Sequence, residues 1–122
     1  MTIKELLKII EGAPLTDFDE SQEFTYAFAS DLMSDALALV NENCEETVLI
    51  TGLCNAQSIR TADMLDVRTI VYVRNKQVNE ELLTLAKEMD VVLIMTNLTM
   101  FETCGRLYQH DIQSVGSYGS LS

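Results

Sequence analysis

Three short apolar runs, each followed by a segment with helical periodicity, constrain the fold of this chain most strongly. The runs are residues 48–51, 69–73 and 91–95. A strand with one face in water alternates apolar and polar side chains, whereas a strand covered by helices on both faces is apolar throughout. The pattern therefore predicts an α/β fold, a three-layer sandwich with a mainly parallel sheet flanked by helices.

The amino-terminal part of the chain fits the same alternation of elements. Thr2 and Glu5 have the spacing of a capping box, and the apolar residues that follow predict a first helix that ends at Gly12. Residues 24–29 alternate bulky and small side chains, which indicates a strand.

The later helices each begin at a residue that can cap them. Ser30 or Asp31 is expected to cap the second helix, and the next three are expected to begin near Asn55, at Asn79 and at Thr99. The apolar positions at helical spacing predict their buried faces: Leu32, Met33, Ala36, Leu37 and Val40; Leu82, Leu85, Ala86 and Met89; and Met100, Phe101, Cys104, Leu107 and Tyr108.

The charge balance argues against two classes of partner. The chain has 19 acidic and 8 basic residues, and its formal net charge is −11. Nucleic acids and anionic membranes are bound by clusters of Lys and Arg, so neither partner is expected. No apolar run approaches the roughly 18 residues of a membrane-spanning helix. Residues 1–5 do not resemble a signal peptide, and we therefore expect a cytoplasmic protein.

The cysteines are expected to be structural. Cys44, Cys54 and Cys104 are widely spaced, and His110 is the only histidine, so we expect no metal site and no intrachain disulfide. Cys54 leaves one alternative open. It lies just before a predicted helix, where the helix dipole lowers the pKa of a thiol, so a reactive cysteine is conceivable.

A ligand site is expected at the carboxyl ends of the strands, where open parallel sheets bind their ligands. Helices beginning near residues 31, 55 and 99 would direct unpaired backbone N–H groups into one crevice, which favours an anionic or carbonyl-bearing ligand. The expected ligand-binding residues are Asp31, Thr51, Asn55, Thr96 and Thr99. Caps and turns use the same residue types, so purely structural roles remain open for all five.

Catalytic signatures and cofactor motifs are absent from the sequence. Gly52 stands alone, without the other glycines of a phosphate-binding loop, and His110 lies near the end of the last helix rather than at a strand tip. Asp31 and Asp35 are four residues apart, so on one helix they would share a face and could hold Mg²⁺ or orient a ligand hydroxyl. The alternative is that both are ordinary charges near a helix start.

Four segments of the chain resemble DRTGG-domain proteins. The segment 98–108 resembles the family's terminal LSTFELAGRLY, and residues 30–37 resemble its SDLLSDV. The similar segments are SDLMSDAL (30–37), VLIT with Asn55, NEEL (79–82) and LTMFETCGRLY (98–108). One departure is that residues 21–26, SQEFTY, lack the Asp-Arg pair and the glycine that give the family its name.

The resemblance covers roughly residues 1–110 and implies a single domain there, with a fold similar to the N-terminal domain of HPr kinase/phosphorylase. Residues 111–122 are rich in Ser and Gly, so a mobile tail is expected. The resemblance also implies a non-catalytic regulatory or interaction module that senses a small anionic metabolite or contacts a protein partner. Surplus apolar surface also favours a homodimer, since Phe24, Tyr26, Phe28 and the face around Met33 add to five amphipathic helices around a small sheet. The alternative is a nucleotide- or phosphometabolite-binding protein with partner-dependent phosphotransfer-related activity.

Overall fold

The computed structural model describes residues 1–115. Within this range the chain alternates between strands and helices. The strands are β1 (Ala13–Pro14), β2 (Tyr26–Ala29), β3 (Thr47–Thr51), β4 (Thr69–Tyr72), β5 (Val92–Met95) and β6 (Gln113–Ser114). The helices are α1 (Ile3–Ile9), α2 (Met33–Leu39), α3 (Ala56–Leu65), α4 (Glu80–Met89) and α5 (Met100–Gln109). A 3₁₀ turn, Cys44–Glu46, precedes β3.

The strands form one sheet in the order β1-β5-β4-β3-β2-β6. Strands β2 to β5 run parallel to one another, and β6 is parallel to β2. The short β1 is antiparallel to β5, with Pro14 opposite Ile94 at the sheet edge. The expected mainly parallel sheet is confirmed.

Successive residues of the central strands point into two different cores. Leu49 packs with residues of α2, α3 and α4 on one face of the sheet. Val48 and Ile50 pack with residues of α1 and α5 on the other face. All three side chains are at most 1% exposed, so helices cover β3 on both faces. The expected three-layer sandwich is confirmed.

Most of the expected helix starts are also confirmed. Thr2 and Glu5 form the reciprocal capping box of α1. Asn55, Asn79 and Thr99 are the N-caps of α3, α4 and α5, and the side-chain oxygen of each accepts a hydrogen bond from a backbone N–H of the first turn.

The expected start of α2 is wrong. The helix begins at Met33 with Leu32 in the N-cap position, while the Ser30 hydroxyl accepts a hydrogen bond from the Leu32 N–H just before the helix. The Asp31 carboxylate is bonded to another loop and is not available as a cap. Leu32 and Leu37, expected to be buried, are 56% and 44% exposed. The other three residues of the expected face, Met33, Ala36 and Val40, are buried.

The expected buried face of α5 is also partly wrong. Phe101 is 89% exposed and Tyr108 is 76% exposed, whereas Thr103 and Leu107 are buried. The helix is rotated so that Thr103 faces inward. Its hydroxyl can be buried because it donates a hydrogen bond to the Thr99 carbonyl oxygen, 2.8 Å away.

The ordered fold continues past residue 110. Gln113 and Ser114 form β6 beside β2, and Ile112 and Val115 are buried. The start of the expected tail therefore belongs to the sheet. The sequence does not show this, because a strand of two residues gives no periodic signal. Residues 116–122, the rest of that tail, lie outside the described residues.

Two buried threonines form a matched test of side-chain hydrogen bonding. The Thr96 hydroxyl donates to the Ile10 carbonyl oxygen at 2.6 Å and accepts from the Leu98 N–H at 3.2 Å. The Thr69 hydroxyl is equally buried and has no hydrogen-bond partner among residues 1–115. Thr96→Val should lower the free energy of unfolding by about 1–3 kcal/mol because it leaves two backbone groups unpaired.

Thr69→Val should be neutral or stabilising, because burying an unbonded hydroxyl is unfavourable. Urea unfolding of both variants and the wild type tests this contrast. Equal losses in the two variants would contradict the hydrogen-bond assignment.

Candidate functional site

The carboxyl edge of the sheet brings two of the expected ligand residues into contact. The Oδ1 atom of Asp31, just after β2, accepts hydrogen bonds from the Gly52 N–H at 2.6 Å and from the Thr51 hydroxyl at 3.2 Å. Thr51 is fully buried, whereas the Asp31 side chain is 55% exposed. These bonds fix one oxygen of the carboxylate, and the other makes no hydrogen bond within residues 1–115.

A strained turn after β4 adds an arginine to this edge. Arg74 and Asn75 are consecutive non-glycine residues with positive φ angles of 64° and 52°. Their N–H groups donate to the carbonyl oxygens of Leu98 and Thr96 at 2.8 Å and 2.9 Å, which joins this turn to the loop before α5. Left-handed backbone at such residues is unfavourable by about 1–2 kcal/mol each, and the two interloop hydrogen bonds help to hold it.

The Arg74 guanidinium lies directly over Gly52. A Cβ atom at Gly52 would overlap the Arg74 Nη2 and lie 3.2 Å from the Asp31 Oδ1, so the absence of a side chain makes room for both groups. The Nη2 atom is 3.7 Å from the Asp31 Oδ2, and the Arg74 side chain is 50% exposed. Gly52 and Arg74 are not among the ligand-binding residues expected from the sequence. The available signal was their position, since each directly follows an apolar run.

The guanidinium of Arg74 keeps its hydrogen-bond donors available. Among residues 1–115, it makes no hydrogen bond, and its distance to Asp31 is too long for one. Arg68 and Arg106, by contrast, each donate to backbone and carboxylate oxygens nearby. A guanidinium with free donors can bind a carboxylate or phosphate through two parallel hydrogen bonds.

The other three expected residues have bonds within the protein. Asn55 and Thr99 cap α3 and α5, which begin at the same edge but pack on opposite faces of the sheet. Thr96 is 1% exposed, and its hydroxyl is bonded to the backbone. The structure therefore joins Asp31 to Thr51 directly, and a ligand role for each of the five stays a prediction.

Two alternatives from the sequence do not fit the geometry. Asp31 precedes α2, whereas Asp35 lies in its first turn, so the two carboxylates do not share a helix face. Burial raises the pKa of the Cys54 thiol, and the opposing effect of the Lys76 charge is smaller. Cys54 is therefore not the low-pKa thiol that its position before α3 suggests.

A buried hydrogen bond between Tyr72 and Ser58 stabilises the start of α3. The Tyr72 hydroxyl lies 2.6 Å from the Ser58 Oγ, and the Ser58 hydroxyl also contacts the Asn55 carbonyl oxygen at 2.8 Å. Tyr72 is fully buried, and burial raises the pKa of its phenol to about 12. The pair ties β4 to the loop that carries Asn55.

Neither a metal-ligand cluster nor a membrane-spanning helix is found in the described range. Residues 1–115 hold no group of three or more His, Cys, Asp or Glu side chains placed to bind a metal ion. None of the helices in this range has the length and apolar character needed to cross a bilayer. His110 is the C-cap of α5, and its Nδ1 lies 2.8 Å from the Arg106 carbonyl oxygen.

Comparison with known proteins shows a likeness in structure rather than in sequence. The sequence matches no family model, and no curated protein matches it. The structure is similar, with a TM-score of 0.66 and 14% identity, to the CBS and DRTGG domains of the regulatory region of Clostridium perfringens pyrophosphatase complexed with its activator, diadenosine tetraphosphate.

The likeness covers 99% of this chain and 52% of the pyrophosphatase chain, so this protein spans about half the length of its neighbour. The similarity supports a DRTGG-like fold. The degenerate DRTGG segment and the relation to HPr kinase/phosphorylase stay predictions.

The buried phenol predicts a specific loss of stability at high pH. The folded state holds the Tyr72 proton more tightly than the unfolded state, whose tyrosine pKa is about 10. The resulting stabilisation is complete below about pH 10 and is lost as the pH rises toward about 12. Tyr72→Phe removes this contribution, and the Ser58 hydroxyl keeps its bond to Asn55.

Urea unfolding of the wild type and Tyr72→Phe between about pH 8 and pH 11 measures the effect. The wild type should lose more stability than the variant over this range, because all other titrating groups are common to both. Parallel pH profiles would show that Tyr72 is not buried as described.

Proposed function

We propose that this chain is a non-catalytic regulatory module, a DRTGG-like domain that includes β6 and acts as a cytoplasmic homodimer. The module senses a small anionic metabolite at the edge formed by Asp31, Gly52 and Arg74. The observation that carries this proposal is the guanidinium of Arg74, held over Gly52 with its donors unused among the described residues.

The surroundings of Arg74 favour an anion despite the net charge of −11. Lys76 lies on the same loop. Burial raises the pKa of Cys54, just before α3, and the positive charge of Lys76 opposes this shift, so this charge is felt at the same edge. Charges farther away than the Debye length of about 8–10 Å are largely screened, so the local potential is set by these two bases, the nearby helix starts and the Asp31 carboxylate beside Arg74. A phosphate or carboxylate group fits this edge.

Asp31 complements the arginine. Its Oδ1 is held by Gly52 and Thr51, and its Oδ2 is free to accept a hydrogen bond from a ligand hydroxyl. A metabolite that carries both an anionic group and a hydroxyl would therefore contact Arg74 and Asp31 together. The fold likeness to a regulatory region that binds a nucleotide activator supports a ligand of this kind.

The first test is a binding assay with a matched pair of variants. The probes are inorganic phosphate, acetyl phosphate, AMP, ATP and diadenosine tetraphosphate, and the readout is the shift in melting temperature, confirmed by calorimetry. At least one probe should stabilise the wild type, because a ligand that binds only the folded state raises its stability.

Arg74→Gln should abolish this shift and weaken binding at least tenfold, because it removes the bidentate donor. Arg60→Gln is the control: it removes the same charge from an exposed arginine on α3, beside Glu80, Glu81 and Glu88. An equal loss in both variants would show that net charge, not the site, determines binding. Turnover of ATP or acetyl phosphate by the isolated protein would favour partner-dependent phosphotransfer instead.

Asn55→Ala separates capping from binding. The Asn55 side chain accepts from the Ser58 N–H at 3.1 Å, so its loss should lower the free energy of unfolding by about 0.5–2 kcal/mol. If Asn55 also contacts the ligand, the folded variant loses the ligand-induced shift as well. Asn97→Ala, an exposed residue of the loop before α5, is the control. An unchanged shift in Asn55→Ala removes Asn55 from the site.

A further inference from the structure

Helix α5 exposes an apolar stripe where a surface helix normally presents charge. Phe101, Cys104, Gly105 and Tyr108 have the spacing i, i+3, i+4 and i+7, which places them along one side of the helix. Phe101 is 89% exposed and Tyr108 is 76% exposed. Two large aromatic side chains on one helix face, both in water, form an apolar surface that the described chain leaves uncovered.

Gly105 lies in the middle of this stripe without a role inside the protomer. Within residues 1–115, a Cβ atom there would meet no atom within 4 Å other than its neighbours and its own helix backbone, and the residue is helical, so neither packing nor backbone conformation in this range requires glycine. Glycine in a helix interior is unfavourable by about 1 kcal/mol relative to alanine. A residue without a side chain at this place allows a second helix to approach closely.

A groove continues the stripe toward the sheet edge. It has a volume of ≈ 280 Å³ and lies between α5 and strands β2 and β6, with Cys104 and Tyr108 on its helical side. Its other lining residues include Ala27, Ile50 and Leu107. None of its lining residues is Asp, Glu, Lys or Arg, although the chain has 19 acidic residues.

We propose that a second copy of this chain covers this surface through antiparallel packing of the two α5 helices across Gly105. The proposal rests on the homodimer of the proposed function and names its interface. In an antiparallel pair that crosses between residues 104 and 105, position 101 of each helix faces position 108 of the other. Phe101 of one copy then packs against Tyr108 and the groove of its partner, twice by symmetry.

The absence of charge in the groove favours a second copy over a basic protein partner. Two molecules that each carry a net charge of −11 repel one another, so their contact surface must be free of acidic side chains, as the groove is. A basic partner would instead select a surface that presents carboxylates. The equal spacing of Phe101 and Tyr108 about the helix centre is a self-complementary pattern, which a two-fold interface requires.

The test compares three single substitutions that add the same charge. Phe101→Glu and Tyr108→Glu place a carboxylate in the interface, and Met64→Glu places one at a 69% exposed apolar residue of α3. Sedimentation velocity from about 1 to 100 µM gives the dimer dissociation constant. We expect the two α5 variants to raise it at least tenfold, since each removes a buried aromatic group from both halves of the interface. Met64→Glu should leave it unchanged.

Gly105→Ala provides an independent measurement. In the monomer it should raise the melting temperature, because alanine favours the helix, and it should weaken the dimer because two methyl groups enter the crossing point. A variant that is more stable yet less dimeric cannot be explained by misfolding. Unchanged dimerisation in Gly105→Ala would contradict close packing at this residue.

The possible failures are distinguishable. A wild type that is monomeric at about 100 µM overturns both the interface and the dimer of the proposed function. A dimer that persists in Phe101→Glu and Tyr108→Glu overturns this interface alone. The anion-induced thermal shift, measured in the same variants, reports on the site around Arg74 and should be unaffected by either outcome.

Discussion

The need to cover both faces of a parallel sheet determines the rest of this structure. Strands β3 and β4 are buried along their whole length, so helices must pack on each side. The strands run in one direction, and the loops that leave them therefore meet at one edge. Asp31, Gly52, Arg74 and Thr96 are far apart in the sequence and reach this edge for that reason. The site is a consequence of the topology.

Features set by short-range interactions were predictable from the sequence. Thr2, Asn55, Asn79 and Thr99 each cap a helix through a bond to a residue three positions away, so the local pattern contains the whole interaction. The rotation of a helix about its own axis is set by its neighbours. Periodicity located α5 correctly, yet it could not show that Thr103 rather than Phe101 faces the sheet, because a buried threonine can bond its own backbone.

The site was only partly predictable for a related reason. The sequence indicated the strand ends, and the contact between Asp31 and Thr51 agrees with that expectation. Arg74 reaches Gly52 because Arg74 and Asn75 both adopt the left-handed conformation, which asparagine tolerates but arginine disfavours, and because loop-to-loop hydrogen bonds hold them there. Asp31 does not cap α2 for a similar reason: its carboxylate accepts a hydrogen bond from the backbone N–H of Gly52, in another loop.

The two edges of the sheet differ in how they resist pairing with another chain. On the β5 side, the outermost strand contains Pro14, which has no N–H to offer a further strand. On the β2 side, and within residues 1–115, β6 pairs with Tyr26 and Ala27 only, so Phe28 and Ala29 have no strand partner on that side in this range. Detachment of the few residues after α5 would expose a whole strand as a template. Aggregation of partly unfolded molecules would therefore begin at β2, whereas the opposite edge stays closed.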